Sequence, residues 1–225
     1  MSFKEFTKEL NGNRIEGQLI KTGFYSLLVS FIVIGLLYAL RILNAVLITK
    51  YGLVLLLLAL SYALIMLAVR QVGNYKQMPC MSGMMVGMTI GMIAGFLPGY
   101  YIGMTNGMFL GSVFGMMVGI IFGALNGKCC GIMGIMEGIM AGFMGGLMGA
   151  MTSVMLLNDH VRIMSWIVLA ISAVIMIALN YMVYKEMKEI RESNGDDWGI
   201  VWLTSTLMAL TILVIVYGPR SLLVI

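Results

Sequence analysis

Seven stretches of mostly apolar side chains, at 24–48, 52–69, 81–97, 101–125, 130–157, 161–184 and 200–217, divide this 225-residue chain. A helix rises 1.5 Å per residue, so about twenty such residues cross a hydrocarbon layer of roughly 30 Å. Inside that layer water cannot satisfy backbone N–H and C=O groups, so each crossing must bond itself as a helix. The chain is 60% hydrophobic and 11% charged, whereas soluble domains carry about 25% charged residues. The fold class expected is all-α: a polytopic helical membrane protein of about seven transmembrane helices.

The stretches group into four parts: a polar lead-in at 1–23, a two-helix hairpin at 24–70, a Met/Gly-rich three-helix core at 78–157 and a two-helix unit at 161–217. The lead-in lacks the apolar core and small-residue cleavage site of a secretory signal, so it reads as a cytosolic segment. The third stretch is short, because Pro98-Gly99 is expected to end its helix. A re-entrant third segment, leaving six spans, is the alternative.

Basic side chains mark the cytosolic face of a membrane protein. With the N-terminus inside, Lys4, Lys8, Arg14, Lys21, Arg70, Lys76, Lys128, Lys185, Lys188 and Arg191 fall on that side. Only Lys50, Arg162 and Arg220 fall outside, with Arg41 within the first stretch. The expected location is the cytoplasmic membrane.

Composition narrows the function. His160 is the only histidine, so multi-histidine zinc or iron sites cannot form. Phosphate-loop, dinucleotide and nucleophile-elbow motifs are absent from the sequence, and an enzyme is not expected. The net charge of +4 sits beside the membrane stretches, so nucleic acid is not an expected partner; the lipid bilayer is.

Twenty-eight residues are glycine. From Gly83 to Gly131 one stands at every fourth position, and Gly134, Gly138, Gly142 and Gly146 resume the rhythm, with Gly145 and Gly149 alongside. Small residues four apart let helix backbones approach closely. A repeat longer than 3.6 favours right-handed crossings. The expectation is a central glycine-zipper bundle, with a glycine-lined pore as the sharper alternative. The same faces offer a route to homo-oligomers.

Seventeen of the 24 methionines lie between Met78 and Met155. Met84, Met88 and Met92 share one helical face; Met104 and Met108 follow; Met133, Met136, Met140, Met144 and Met148 run along the fifth stretch. Thioether sulfur is a soft ligand suited to Cu(I), although methionine also fills gaps left by glycine. Cys80, Cys129 and Cys130 all open stretches on the expected cytosolic side, where thiols stay reduced and bind Cu(I) more strongly. A ladder of weak sites leading to a stronger cluster would suit conduction.

Met84-Met85-Val86-Gly87-Met88 and Met136-Glu137-Gly138-Ile139-Met140 set MxxxM beside glycines of the ladder. This resembles the pairing in Ctr-type copper uptake transporters, which have three spans per chain and trimerise, where a methionine pair lines the pore and a GxxxG seam holds the helices. The region from Met81 to Met155 is also similar to Met/Gly-rich membrane segments of bacterial proteins associated with cupredoxin-type copper handling. The resemblance implies Cu(I) as cargo and a copper chaperone as partner.

Glu137 lies about 12 Å along the helix from Cys129, and an ionisable group inside a membrane is a functional candidate by default. It can serve as charge partner of a passing cation, as proton relay, or as a hydrogen-bonding brace between helices. Arg41 is expected to snorkel outward. Asn158-Asp159-His160 reads as a polar loop cap or an outer capture point. The resulting expectation is a membrane protein that transports or binds Cu(I), its inward-facing methionines forming a lane. The alternative is a non-transporting scaffold or assembly subunit packed through its glycine zipper. A proton-coupled carrier for another solute rests on Glu137 alone.

Overall fold

The computed structural model describes residues 15–39, 45–73, 79–157, 159–186 and 197–218. Among them lie seven α-helices: α1 (Ile15–Ala39), α2 (Ala45–Gly73), α3 (Cys80–Asn106), α4 (Met108–Gly127), α5 (Gly131–Met155), α6 (Val161–Glu186) and α7 (Asp197–Tyr217). A 3-10 turn, Lys128–Cys130, joins α4 to α5. Six helices are long and apolar enough to cross a membrane, and α7 adds a shorter apolar stretch, Trp202–Tyr217. The chain is a multi-pass helical membrane protein. Most of the lead-in, Arg41, Asn158 and residues 187–196 fall outside the described residues, as does the side chain of Cys129.

Two boundaries differ from the sequence expectation. The first apolar stretch ends earlier: α1 stops at Ala39 and α2 begins at Ala45. Residues 45–48, expected to close the first span, belong to α2, and Arg41 lies outside the described residues. The second difference is Pro98, which sits inside α3 without ending it. A proline in a helix interior costs about 3 kcal/mol or more through its lost N–H and its clash with the preceding turn. Here Gly95 and Gly99, on either side of it, lie against the backbones of α4 and α5. Ending the helix at 97 would give up those close contacts.

The chain reverses instead at Gly107, whose φ of 104° with ψ of 171° is backbone that L side chains rarely adopt. Its N–H still bonds the Gly103 carbonyl at 3.1 Å, closing α3 before the turn. At 27 residues, α3 is about 40 Å long at 1.5 Å per residue, which removes the re-entrant reading.

Helix α3 has two unlike sides. Its glycines face α4 and α5, while Val86, Ile90, Leu97, Tyr100 and Tyr101 join a buried cluster with Leu58, Tyr62 and Met66 of α2, Met176 of α6 and Met208 of α7. The helix thus joins a tight triple, α3–α4–α5, to a layer made of α1, α2, α6 and α7. Among the described residues, α6 and α7 each pack on α2 and α3 more than on each other.

Long-range hydrogen bonds fix which helix ends meet. Arg70 near the end of α2 donates to the Thr22 hydroxyl of α1. Gln71 Nε2 donates to the Asn180 carbonyl of α6 at 3.0 Å. Asn106 Nδ2, at the end of α3, donates to the Val214 and Gly218 carbonyls at 3.0 and 3.2 Å. These pairings are those of helices alternating up and down along the chain.

Candidate functional site

The glycine ladder folds on itself around Gly107. Gly87 faces Gly127, Gly91 faces Gly123, Gly95 faces Gly119, Gly99 faces Gly115 and Gly103 faces Gly111, each pair equidistant from the turn. Helix α5 completes the layers: Gly134 against Gly127, Gly138 against Gly123, Gly142 against Gly119 and Gly146 against Gly115, while Ala150 and Ser153 close the last layer on Gly103. A Cβ on Gly91 would stand 2.9 Å from both the Gly123 Cα and the Gly138 carbonyl oxygen. A Cβ on Gly119 would stand 2.7 Å from the Gly142 oxygen and 2.8 Å from the Gly95 Cα. Backbone fills the axis, so the glycines line no pore. The GxxxG faces are also spent within the chain and are not free to bind another copy.

Every direction toward the triple's axis is taken by a small residue, so the bulky side chains of α5 point elsewhere. At 100° per residue, Met133, Met136, Met140, Met144, Met148, Met151 and Met155 fall within a sector of about 120°, opposite Gly138, Gly142 and Gly146. All seven are exposed, Met133 at 67% and Met140 at 59%. On α3, Met81, Met85, Met88 and Met92 share a sector of about 60° and are exposed as well, while Met84 is turned half inward.

A Cβ on Gly145 would stand 3.0 Å from the Met92 Cα, and one on Gly149 would stand 3.0 Å from the Phe96 Cα. Helices α3 and α5 therefore run side by side in the same direction, and each turns exposed methionines to the outside of the triple. The expected inward lane is corrected: the sulfur-bearing side chains form an outer face of the bundle, because backbone already occupies the interior.

Site residues named from the sequence divide accordingly. Met88, Met92, Met133, Met136, Met140, Met144 and Met148 share this face, and Met84 borders it. Met104 and Met108 stand at the other end, flanking the Gly107 turn, and Met104 packs against the core cluster. Met81, Met85, Met151 and Met155 belong to the face too, and the same helical periodicity could have assigned them.

Glu137 lies inside the α5 methionine sector, half-buried, about 9 Å from the start of the helix. Among the described residues none pairs with its carboxyl. An ionised acid costs about 3 kcal/mol at the centre of a membrane helix on insertion scales, and Glu137, six residues in, carries part of that cost on a face that meets only lipid.

At the end of the face where α3 and α5 begin, Cys80 and Cys130 are joined as a disulfide, their Cα atoms 4.9 Å apart, a separation within the usual range for such a bond. The sequence expectation of three free thiols is corrected for this pair, since a disulfide offers no thiolate to a metal. Among the described residues no three His, Cys, Asp or Glu side chains gather as a metal cage. Any soft-ion site must then rest chiefly on thioethers.

The loop after α5 is local in character. Asp159 Oδ1 accepts the His160 backbone N–H at 2.9 Å and lies 2.6 Å from His160 Nδ1. These bonds hold the exposed Asp159 carboxyl below its ordinary pKa, the backbone bond first. The His160 carbonyl in turn accepts the N–H groups of Ile163 and Met164 at the start of α6. This is the arrangement of a loop cap.

Compared with known proteins, the chain matches no family model, no curated protein and no solved structure.

Proposed function

We propose that the chain binds or conducts a soft metal ion, Cu(I), along the methionine face of α3 and α5, as a multi-pass protein of the cytoplasmic membrane with its N-terminus in the cytosol. One observation carries the reading: methionines of two adjoining parallel helices stand exposed on the outside of the triple, with one carboxylate among those of α5. Thioethers suit Cu(I) and hold hard cations poorly. Glu137 would supply the negative charge that neutral sulfur lacks. The excess of basic residues on the segments sharing a side with the N-terminus supports the orientation. Inward flow would deliver the ion to a cytosolic copper chaperone.

The test compares wild type with a variant carrying Met88, Met92, Met140 and Met144 as leucine. Elemental analysis of protein purified from copper-fed cells should find copper on the wild type and little on the variant, and cellular accumulation should fall in parallel. Equal copper content and equal accumulation would end the metal reading.

A second reading, a non-transporting membrane scaffold, is favoured by the closed glycine core, which leaves no passage along the α3–α4–α5 axis. On that reading the leucine variant is silent, whereas Gly123→Leu abolishes folding or assembly.

A further inference from the structure

We infer that the α3/α5 methionine face is covered in the membrane by the same face of a second copy of this chain, with the two Glu137 side chains meeting near the shared axis. The inference does not depend on what the sulfur atoms bind.

Among the described residues, α5 packs chiefly on α3 and α4. Its remaining side, with Ile132, Phe143 and the seven methionines, is exposed along the whole helix. The small-residue faces that ordinarily drive helix association are already consumed inside the chain, so any association must use a different surface. Glu137 says what that surface meets. It is half-buried within the apolar face and finds no partner among the described residues. Hydrocarbon offers a carboxyl nothing to bond.

A second copy does offer something. All copies enter a membrane in one orientation, so a two-fold axis along the membrane normal brings the same residue of each to the same depth. A carboxylic acid both donates and accepts, so two Glu137 groups complement each other across that axis, as an isologous interface requires. The methionine spacing suits this contact as well. Steps of three and four from Met133 to Met155 average close to 3.67 residues per turn, a stripe that stays nearly in line with the helix axis. Flexible methionines can then interdigitate along its length.

Photo-crosslinking in intact cells and mass measurement of the purified full chain test the pairing together. A benzoylphenylalanine at position 140 should give a covalent dimer of the chain at least about tenfold more efficiently than one at position 174, because only the first lies in the isologous contact. Val174 is 66% exposed on α6 and lies off the face. By light scattering in mild detergent, wild type should show twice the mass of Glu137→Leu. Glu137→Gln should retain the larger mass, because an amide also donates and accepts. Monomeric wild type, equal crosslinking from 140 and 174, a position-140 product containing a different protein, or a Glu137→Leu mass equal to wild type would each overturn the proposal.

Discussion

At the scale of single residues, the absence of a Cβ does different work at different glycines. Gly123 faces Gly138 backbone at closer than van der Waals distance for any added carbon, whereas a Cβ on Gly35 of α1 would meet nothing within 4 Å. Overpacking a rigid neighbour costs about 1–3 kcal/mol or more, and alanine is about 1 kcal/mol better than glycine in a helix. Gly123→Ala should therefore lower the thermal unfolding midpoint in detergent by several degrees, and Gly35→Ala should leave it unchanged or raise it. Equal losses at both sites would mean that the glycines matter for something other than contact. Asp159 offers a titration at the same scale. Its carboxyl is held below the ordinary range by His160, so its contribution is present above the unfolded pKa and is lost only as pH falls through the lower folded value. NMR titration should place its midpoint below that of a free aspartate, with a small effect on stability because the group is fully exposed.

At the scale of elements, α3 is legible from its letters and α5 less so. The bulky side of α3 reads from Val86 and Ile90, and its smooth side from Gly87 and Gly91, one place later. The expected break at Pro98 followed the local rule for proline. It missed the turn because contacts on both flanks of the proline outweigh the local penalty, and because φ at Gly107 is a tertiary outcome. Replacing Gly107 by alanine should cost about 1–3 kcal/mol through backbone strain alone, readable as a fall in midpoint without loss of helix by circular dichroism. On α5, the periodicity set methionines beside glycines but could not tell an inner seam from an outer flank. Leucine at Met140 and Met144 should leave the stability of the monomer within about 1.5 kcal/mol, since such swaps conserve volume. A larger loss would place those side chains in a packed interior.

At the scale of the molecule, a few polar side chains tie the outer layer to the triple. Asn106 reaches α7 through two carbonyls, and Gln71 reaches α6 through one. Interhelical hydrogen bonds in membranes are worth about 0.6–2 kcal/mol. Asn106→Ala should thus speed hydrogen exchange in the last turns of α7, near Val214, while leaving α4 and α5 protected. Uniform exchange across all helices would show that the chain unfolds as one unit. No periodicity argument singles these residues out, because their partners are backbone carbonyls more than a hundred positions away.

Apolar length and the four-residue glycine spacing, both local properties, already determine a helical membrane protein with a close-packed middle. A backbone in hydrocarbon has no other way to satisfy its hydrogen bonds, and missing side chains permit only closer approach. Which way the methionines point, where the chain turns and which helices become neighbours were decided by the tertiary structure. A helix wheel gives relative angles on one cylinder. Only the packing of three cylinders around one axis determines which sector is inside, and here backbone atoms took that place and left the sulfur atoms and Glu137 on the rim.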